Sequence, residues 1–321
     1  MIDVVALGEL LIDFAPRGAD ESGYPILAAQ PGGAPANFLA ALAKCGRSGA
    51  LIGKVGGDMF GRLLVGTLKA AGIDARGVII DPDVFTTLAF VSLDEQGNRD
   101  FSFARKPGAD TCLRPDELDE GLIASARVFH FGTLSLTNEP AAEATRRALD
   151  IAKAHGLLVS LDPNLRKPLW PGEDAARAAM EWSLRQADVV KLSDEEIDFL
   201  WGLSPEDGAR KLLNEYGVSL VYATLGPKGC HAATAAQAVT VGAPAGIRAV
   251  DTTGAGDIFG GSAMSRLLGY EKAPSELTAH ELEAIVRFAC AAASLSTQKP
   301  GGIGSVPDAA EAEKLAASVW R

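Results

Sequence analysis

Short apolar runs alternate with stretches of helical spacing along most of this chain, and that alternation limits the fold more than any other feature. Residues 4–7, 50–55, 128–131, 157–161, 189–192 and 219–223 read as strands. Residues 35–45, 59–71, 140–155, 174–186, 195–201, 205–216, 255–268 and 281–297 read as helices. Two or three further short strands are expected between residues 230 and 250. Repeated β–α units predict an α/β fold, a parallel sheet with helices on both faces. Ligands of such sheets sit at the carboxyl ends of the strands. The alternation breaks once. Residues 86–93 and 99–104 flank Asp94-Glu95-Gln96-Gly97-Asn98, a hairpin with a five-residue loop, which predicts a small sheet beside the main one. Residues from about 10 to 29 are expected to add strands to it.

Composition narrows the function. Net charge is −11 and basic residues form no block, which argues against a nucleic-acid backbone as partner. No apolar run approaches the ~18 residues of a membrane span, and the first residues carry no signal-peptide pattern. The four cysteines, Cys45, Cys112, Cys230 and Cys290, stand far apart and form no Cys-x-x-Cys pair. Reduced thiols in a cytoplasmic protein are expected.

The segment with most chemistry is Asp251-Thr252-Thr253-Gly254-Ala255-Gly256-Asp257, followed by Ile258-Phe259-Gly260-Gly261. Val250 is expected to end a strand and a helix to begin near Ala255. Gly254 and Gly256 permit a tight bend with exposed N–H groups, and a helix N-terminus with free N–H groups receives phosphate. Asp257 then stands in the first turn as a base for phosphoryl transfer. The helix dipole is expected to lower its pKa and keep it ionised. A second segment, Gly32-Gly33-Ala34-Pro35-Ala36-Asn37, places two glycines before a Pro-started helix. There the backbone can approach a ligand, and Asn37 offers a donor and an acceptor to a sugar hydroxyl. Asp13, at the end of another apolar run, can accept from two hydroxyls. A Walker loop, a dinucleotide Gly-x-Gly-x-x-Gly and a Gly-x-Ser-x-Gly elbow are all absent from the sequence.

These two segments resemble the signatures of the ribokinase-like (PfkB-type) carbohydrate kinases, across nearly the whole chain. The stretches around Thr87-Leu88-Ala89, Phe101-Ser102-Phe103-Ala104-Arg105, Ser160-Leu161-Asp162-Pro163-Asn164-Leu165-Arg166 and Lys191-Leu192-Ser193-Asp194-Glu195-Glu196 are similar to fructokinases. The resemblance implies one Rossmann-like three-layer α/β/α domain over residues 1–321. Its small β lid would comprise residues of about 10–30 and 86–106 and commonly form a homodimer contact. It implies ATP-dependent phosphorylation of fructose, with Asp257 as base and Gly254, Ala255 and Gly256 forming the anion hole. Asp13, Gly32, Gly33, Asn37, Phe103, Arg105 and Arg166 would meet the sugar or its phosphate. Lys191, Ser193, Thr224, Gly226, Gly229, Gly256 and Cys290 would border ATP. Glu196 would organise Mg²⁺, and Asp251 with Thr253 a monovalent cation such as K⁺. A 2-keto-3-deoxygluconate kinase, a ribokinase and a non-catalytic sugar or nucleotide sensor stay open as alternatives.

Overall fold

A computed structural model describes residues 2–93 and 99–320, with the side chains of 92–101 left aside. The expected hairpin loop 94–98 lies outside the described residues. In chain order the elements begin with β1 (Ile2–Leu7), β2 (Leu11–Ala19), β3 (Pro25–Gly32), α1 (Ala34–Lys44), β4 (Gly49–Gly56), α2 (Met59–Ala70) and β5 (Asp74–Asp81). Next come β6 (Leu88–Leu93), β7 (Arg99–Ala104), α3 (Glu120–Ala124), β8 (Ala126–Phe131), α4 (Ala141–Ala154), β9 (Leu158–Leu161) and α5 (Glu173–Leu184). The last third holds β10 (Val189–Ser193), α6 (Asp194–Trp201), α7 (Pro205–Lys211), β11 (Leu220–Thr224), β12 (Cys230–Ala233) and β13 (Ala238–Val241). It closes with α8 (Ala255–Leu267), α9 (Ala279–Ser296) and α10 (Ala309–Val319).

Nine strands form one sheet in the order β13-β12-β11-β10-β9-β8-β1-β4-β5, and four form a second, β3-β2-β6-β7. Alternating side chains of β1 show how the large sheet is built. Val4 and Ala6 enter one core with α1, α8 and α9, while Val5 and Leu7 enter the other with α4 and α5. Both faces are covered, as a parallel strand requires. The architecture is the expected α/β one, with a smaller separate sheet.

Five details differ from the sequence reading. The sheet is mixed, because β12 and β13 run antiparallel at its edge. One strand was missed: β5 extends the sheet beside β4, and Asp74, Arg76 and Asp81 in it mask its apolar character. Val250 ends no strand. It is exposed, and its N–H donates to the Thr297 carbonyl instead of a ladder. The helix expected over 205–216 is regular to Lys211 and widens into a π-turn, Leu212–Tyr216, before left-handed Gly217. The amphipathic α10 was also not anticipated.

Local chemistry fixes the elements that carry the site. Helix α1 opens at Ala34-Pro35 directly after Gly33, whose φ of 115° suits only glycine. A Cβ on Gly33 would strike the Glu9 carbonyl, so the β1–β2 and β3–α1 connections touch here. Ser193 caps α6 reciprocally with Glu196. Gly261 lets α8 lie against the α1 backbone at Phe38.

Candidate active site

The N-terminus of α8 faces a cleft of about 510 Å³ at the carboxyl ends of the parallel strands, beneath the small sheet. Gly254 supplies the left-handed turn (φ 75°) into the helix and, as a glycine, offers its first N–H groups no side-chain cap. The bend is crowded. A Cβ on Gly254 would lie 3.0 Å from Gly302 Cα and 3.1 Å from Asn37 Nδ2. One on Gly256 would lie 3.0 Å from Lys191 Nζ. The Ala255 N–H already donates to the Thr252 carbonyl at 3.3 Å, and the other amides of this first turn and the tight glycines together form an anion seat.

Asp257 points into this cleft, where its Oδ2 accepts a hydrogen bond from Asn37 Nδ2 at 2.9 Å. Burial, then the neighbouring charge of Asp162, raises its pKa to about 7. The Asn37 bond, Lys191 and Arg166 oppose that rise. This corrects the expectation of a lowered pKa: loss of water and the charge of Asp162 outweigh the Asn37 bond and the two nearby cations. The carboxyl is thus a base matched to neutral pH. Asn37 is committed to Asp257 through its amide nitrogen, while its buried Oδ1 meets no partner among the described residues.

The expected sugar-side residues divide. Asp13, Gly33, Asn37, Phe103 and Arg166 all line the cleft. Gly32 lies next to Asp13, whose carboxylate occupies the space a Cβ would need. Arg105 stands just behind the cleft wall, at Leu134, without lining the cleft itself. Its buried guanidinium pairs with Asp110, donates to Thr137 Oγ1 at 2.7 Å and reaches the Leu134 carbonyl at 3.0 Å. It is therefore outside the cleft lining, held by a structural cluster.

The expected nucleotide and metal residues divide too. Lys191 lines the cleft and pairs with Asp162 Oδ2 at 2.8 Å. Burial pulls its ammonium pKa down, but Asp162, Glu196 and Asp257 outweigh this and raise it. Thr224, Gly226 and Gly229 form the β11–β12 turn, in which a Cβ on Gly229 would strike the Val241 carbonyl. A second cavity of about 460 Å³, lined by Leu225 and Lys228 from that turn, meets the cleft at Glu195. Glu196 is buried, accepting from Leu165 N–H and Ser193 N–H, both at 2.8 Å. Hence Glu195, not Glu196, faces the cleft. Asp251 accepts from Thr253 N–H at 2.8 Å and Gly301 N–H at 2.9 Å, tying the bend to the C-terminal tail. Cys290 lies in the α9 core, where burial pushes its thiol up to about 12.

Sequence reasoning gave no role to several residues that the fold brings here. Glu9 lines the cleft, accepts from Ala34 N–H at 2.8 Å, and is raised to about 7 by burial. Asp162 and Asn164 follow β9, and Asn164 adopts a positive φ of 51°. Neutral His130 stacks on Phe38 at 3.8 Å, with burial holding its pKa down to about 3. The available signal was positional: Glu9 and Asp162 each follow an apolar strand of the parallel sheet at its carboxyl end.

Comparison with known proteins comes to the same place. Residues 1–309 match the model of the pfkB family carbohydrate kinase. The chain is 41% identical over 315 residues to fructokinase-2 of Solanum lycopersicum, covering 97% of this chain and 95% of that protein. It is similar to a fructokinase from Xylella fastidiosa with bound ATP (TM-score 0.89, 29% identity, 99% of each chain). It is also similar to a double mutant of fructokinase from Vibrio cholerae in a fructose-, ADP- and potassium-bound form (TM-score 0.86, 31% identity, 98% of each chain).

Proposed function

The chain belongs to the pfkB family of carbohydrate kinases, and we propose that it transfers the γ-phosphoryl group of ATP to D-fructose, giving fructose 6-phosphate. The carrying observation is Asp257, a proton-hungry carboxylate in the first turn of α8, whose glycine cap leaves that turn without a side-chain cap, in a single cleft. Asp257 takes the proton of the 6-hydroxyl as its oxygen attacks the γ-phosphorus and the bond to the β-phosphate oxygen breaks. The N–H groups of Gly254 to Asp257 receive the charge on the transferring group, and Lys191 adds a cation beside Gly256. Asp13, Gly32, Gly33, Asn37, Phe103 and Arg166 form the sugar side.

The turn carrying Thr224, Gly226 and Gly229, with Ser193 at the head of α6, borders the nucleotide. Mg²⁺ arriving on ATP supplies charge neutralisation. Glu195 is the carboxylate placed to meet its water shell, since Glu196 already accepts two backbone N–H groups. Asp251 and the Thr253 carbonyl are oxygen donors of the kind a K⁺ ion takes. The small sheet acts as a lid and homodimer face. Tyr24, Ile26 and Leu27 of its β2–β3 hairpin are exposed, as is Phe85. Among the described residues no helix is long and apolar enough to cross a membrane, and the four thiols are free. Both fit a cytoplasmic enzyme.

ADP release measured over a sugar panel, with and without K⁺, tests the reading. Fructose should give the highest kcat/KM, above ribose and 2-keto-3-deoxygluconate, and K⁺ should raise it. Preference for another acceptor would reassign the substrate, and sugar binding without ADP release would make the chain a sensor.

A further inference from the structure

Lys191 rises from β10 in the middle of the sheet, and Asp162 follows the neighbouring β9. Their ion pair is 2.8 Å long, and the side chains are only 11% and 6% exposed. On its other side Nζ lies so close to Gly256 that a Cβ there would be 3.0 Å away. Asp257 and Asp162 share the wall of a small cavity that opens off the cleft beside Glu9. Lys191 thus stands among the carboxylates of Asp162, Glu196 and Asp257 and beside the anion seat, and Glu196 is already held by two backbone N–H groups. An ammonium paired with Asp257 would lower the proton affinity of the base and be drawn from the phosphoryl path. Paired with Asp162 through one proton, it keeps two donors for phosphate oxygens.

We infer that Asp162 is a positioning residue for phosphoryl transfer: its carboxylate holds Lys191 Nζ beside the Gly256 amide and off the carboxylate of Asp257. The inference rests on the reading of the cleft as a sugar kinase site. It gives a buried pair, which by itself adds little stability, a reason to be there. The Asp162 Oδ1 atom, buried and with no partner among the described residues, agrees with a carboxylate placed for one ammonium.

A double-mutant cycle on kcat with ATP and fructose tests it. Lys191→Met should lose roughly 10²–10³-fold, as when one transition-state donor is removed. Asp162→Asn should lose ~10²-fold, the scale of a misplaced group, and Asp162→Glu should recover much of that. The KM for fructose should stay within about threefold in Asp162→Asn, because sugar binding is not the step affected. The double variant removes both charges together and so leaves no lone buried ion. Its kcat should match that of Lys191→Met. A further ~10²-fold fall in the double variant, meaning additive losses, overturns the inference. So does an Asp162→Glu variant no better than Asp162→Asn while both melt like wild type. A wild-type protein that phosphorylates no sugar would instead overturn the kinase reading, so the two failures are separable.

Discussion

Replacing Asp257 by Asn should make the protein both much less active and more stable. Asn is isosteric and keeps an oxygen to accept from Asn37 Nδ2, so the local hydrogen bond survives. Wild-type Asp257 is raised from 3.8 to about 7 in the folded chain by burial and by Asp162. Ionising it therefore costs folding free energy. Below pH 4 both states are protonated and the variant has no advantage. Between pH 4 and 7 the unfolded chain loses the proton first, so wild type falls behind by about 1.4 kcal/mol per pH unit. The gap should level above pH 7 at no more than about 4 kcal/mol. Urea unfolding of both proteins across pH 4 to 8 measures it; groups remote from Asp257 cancel in the difference, while Asp162 and Lys191, which interact with it, contribute to the measured gap. Turnover should meanwhile drop roughly 10²–10⁴-fold through loss of the base. A variant equal to or less stable than wild type at pH 8, or a gap independent of pH, would show that the carboxylate is not desolvated. The account of the base would then fall.

Three further outcomes are expected. For wild type, kcat/KM for fructose should rise with pH and level near 7, because the base acts ionised; an acid limb near 4 would contradict its burial. Arg105→Met should lower stability by about 3–5 kcal/mol in a urea melt, since Asp110 is left charged and buried. Unchanged stability with a raised fructose KM would return Arg105 to the sugar. Gly254→Ala should cost about 1–2 kcal/mol of stability for the left-handed backbone and lower kcat by shifting the bend against Gly302 and Asn37. A variant with wild-type melting and turnover would show that the bend tolerates a side chain.

Much of the frame was legible in the chain because it depends on near neighbours. Apolar runs marked β1, β8, β9, β10 and β11, and Pro35 after Gly33 marked α1. The small sheet was legible from its hairpin residues. Strand β5 escaped because its charged residues hide the pattern, and α10 because its apolar face is defined only by the α9 surface it meets.

The sequence by itself determined where the glycine bend lies and that an acid stands in the first turn after it. Those are consequences of φ, Cβ and helix geometry within a few residues. Only the tertiary structure decided what that acid is like. Asn37, its hydrogen-bond partner, is 220 residues away, and its electrostatic neighbours Asp162, Arg166 and Lys191 come from the middle of the chain. The same holds for Arg105, claimed by Asp110, and for Glu196, whose two oxygens are occupied by backbone. Proton affinity and ion-pair choice follow from exclusion of water and from charges in space, and neither is a property of a motif.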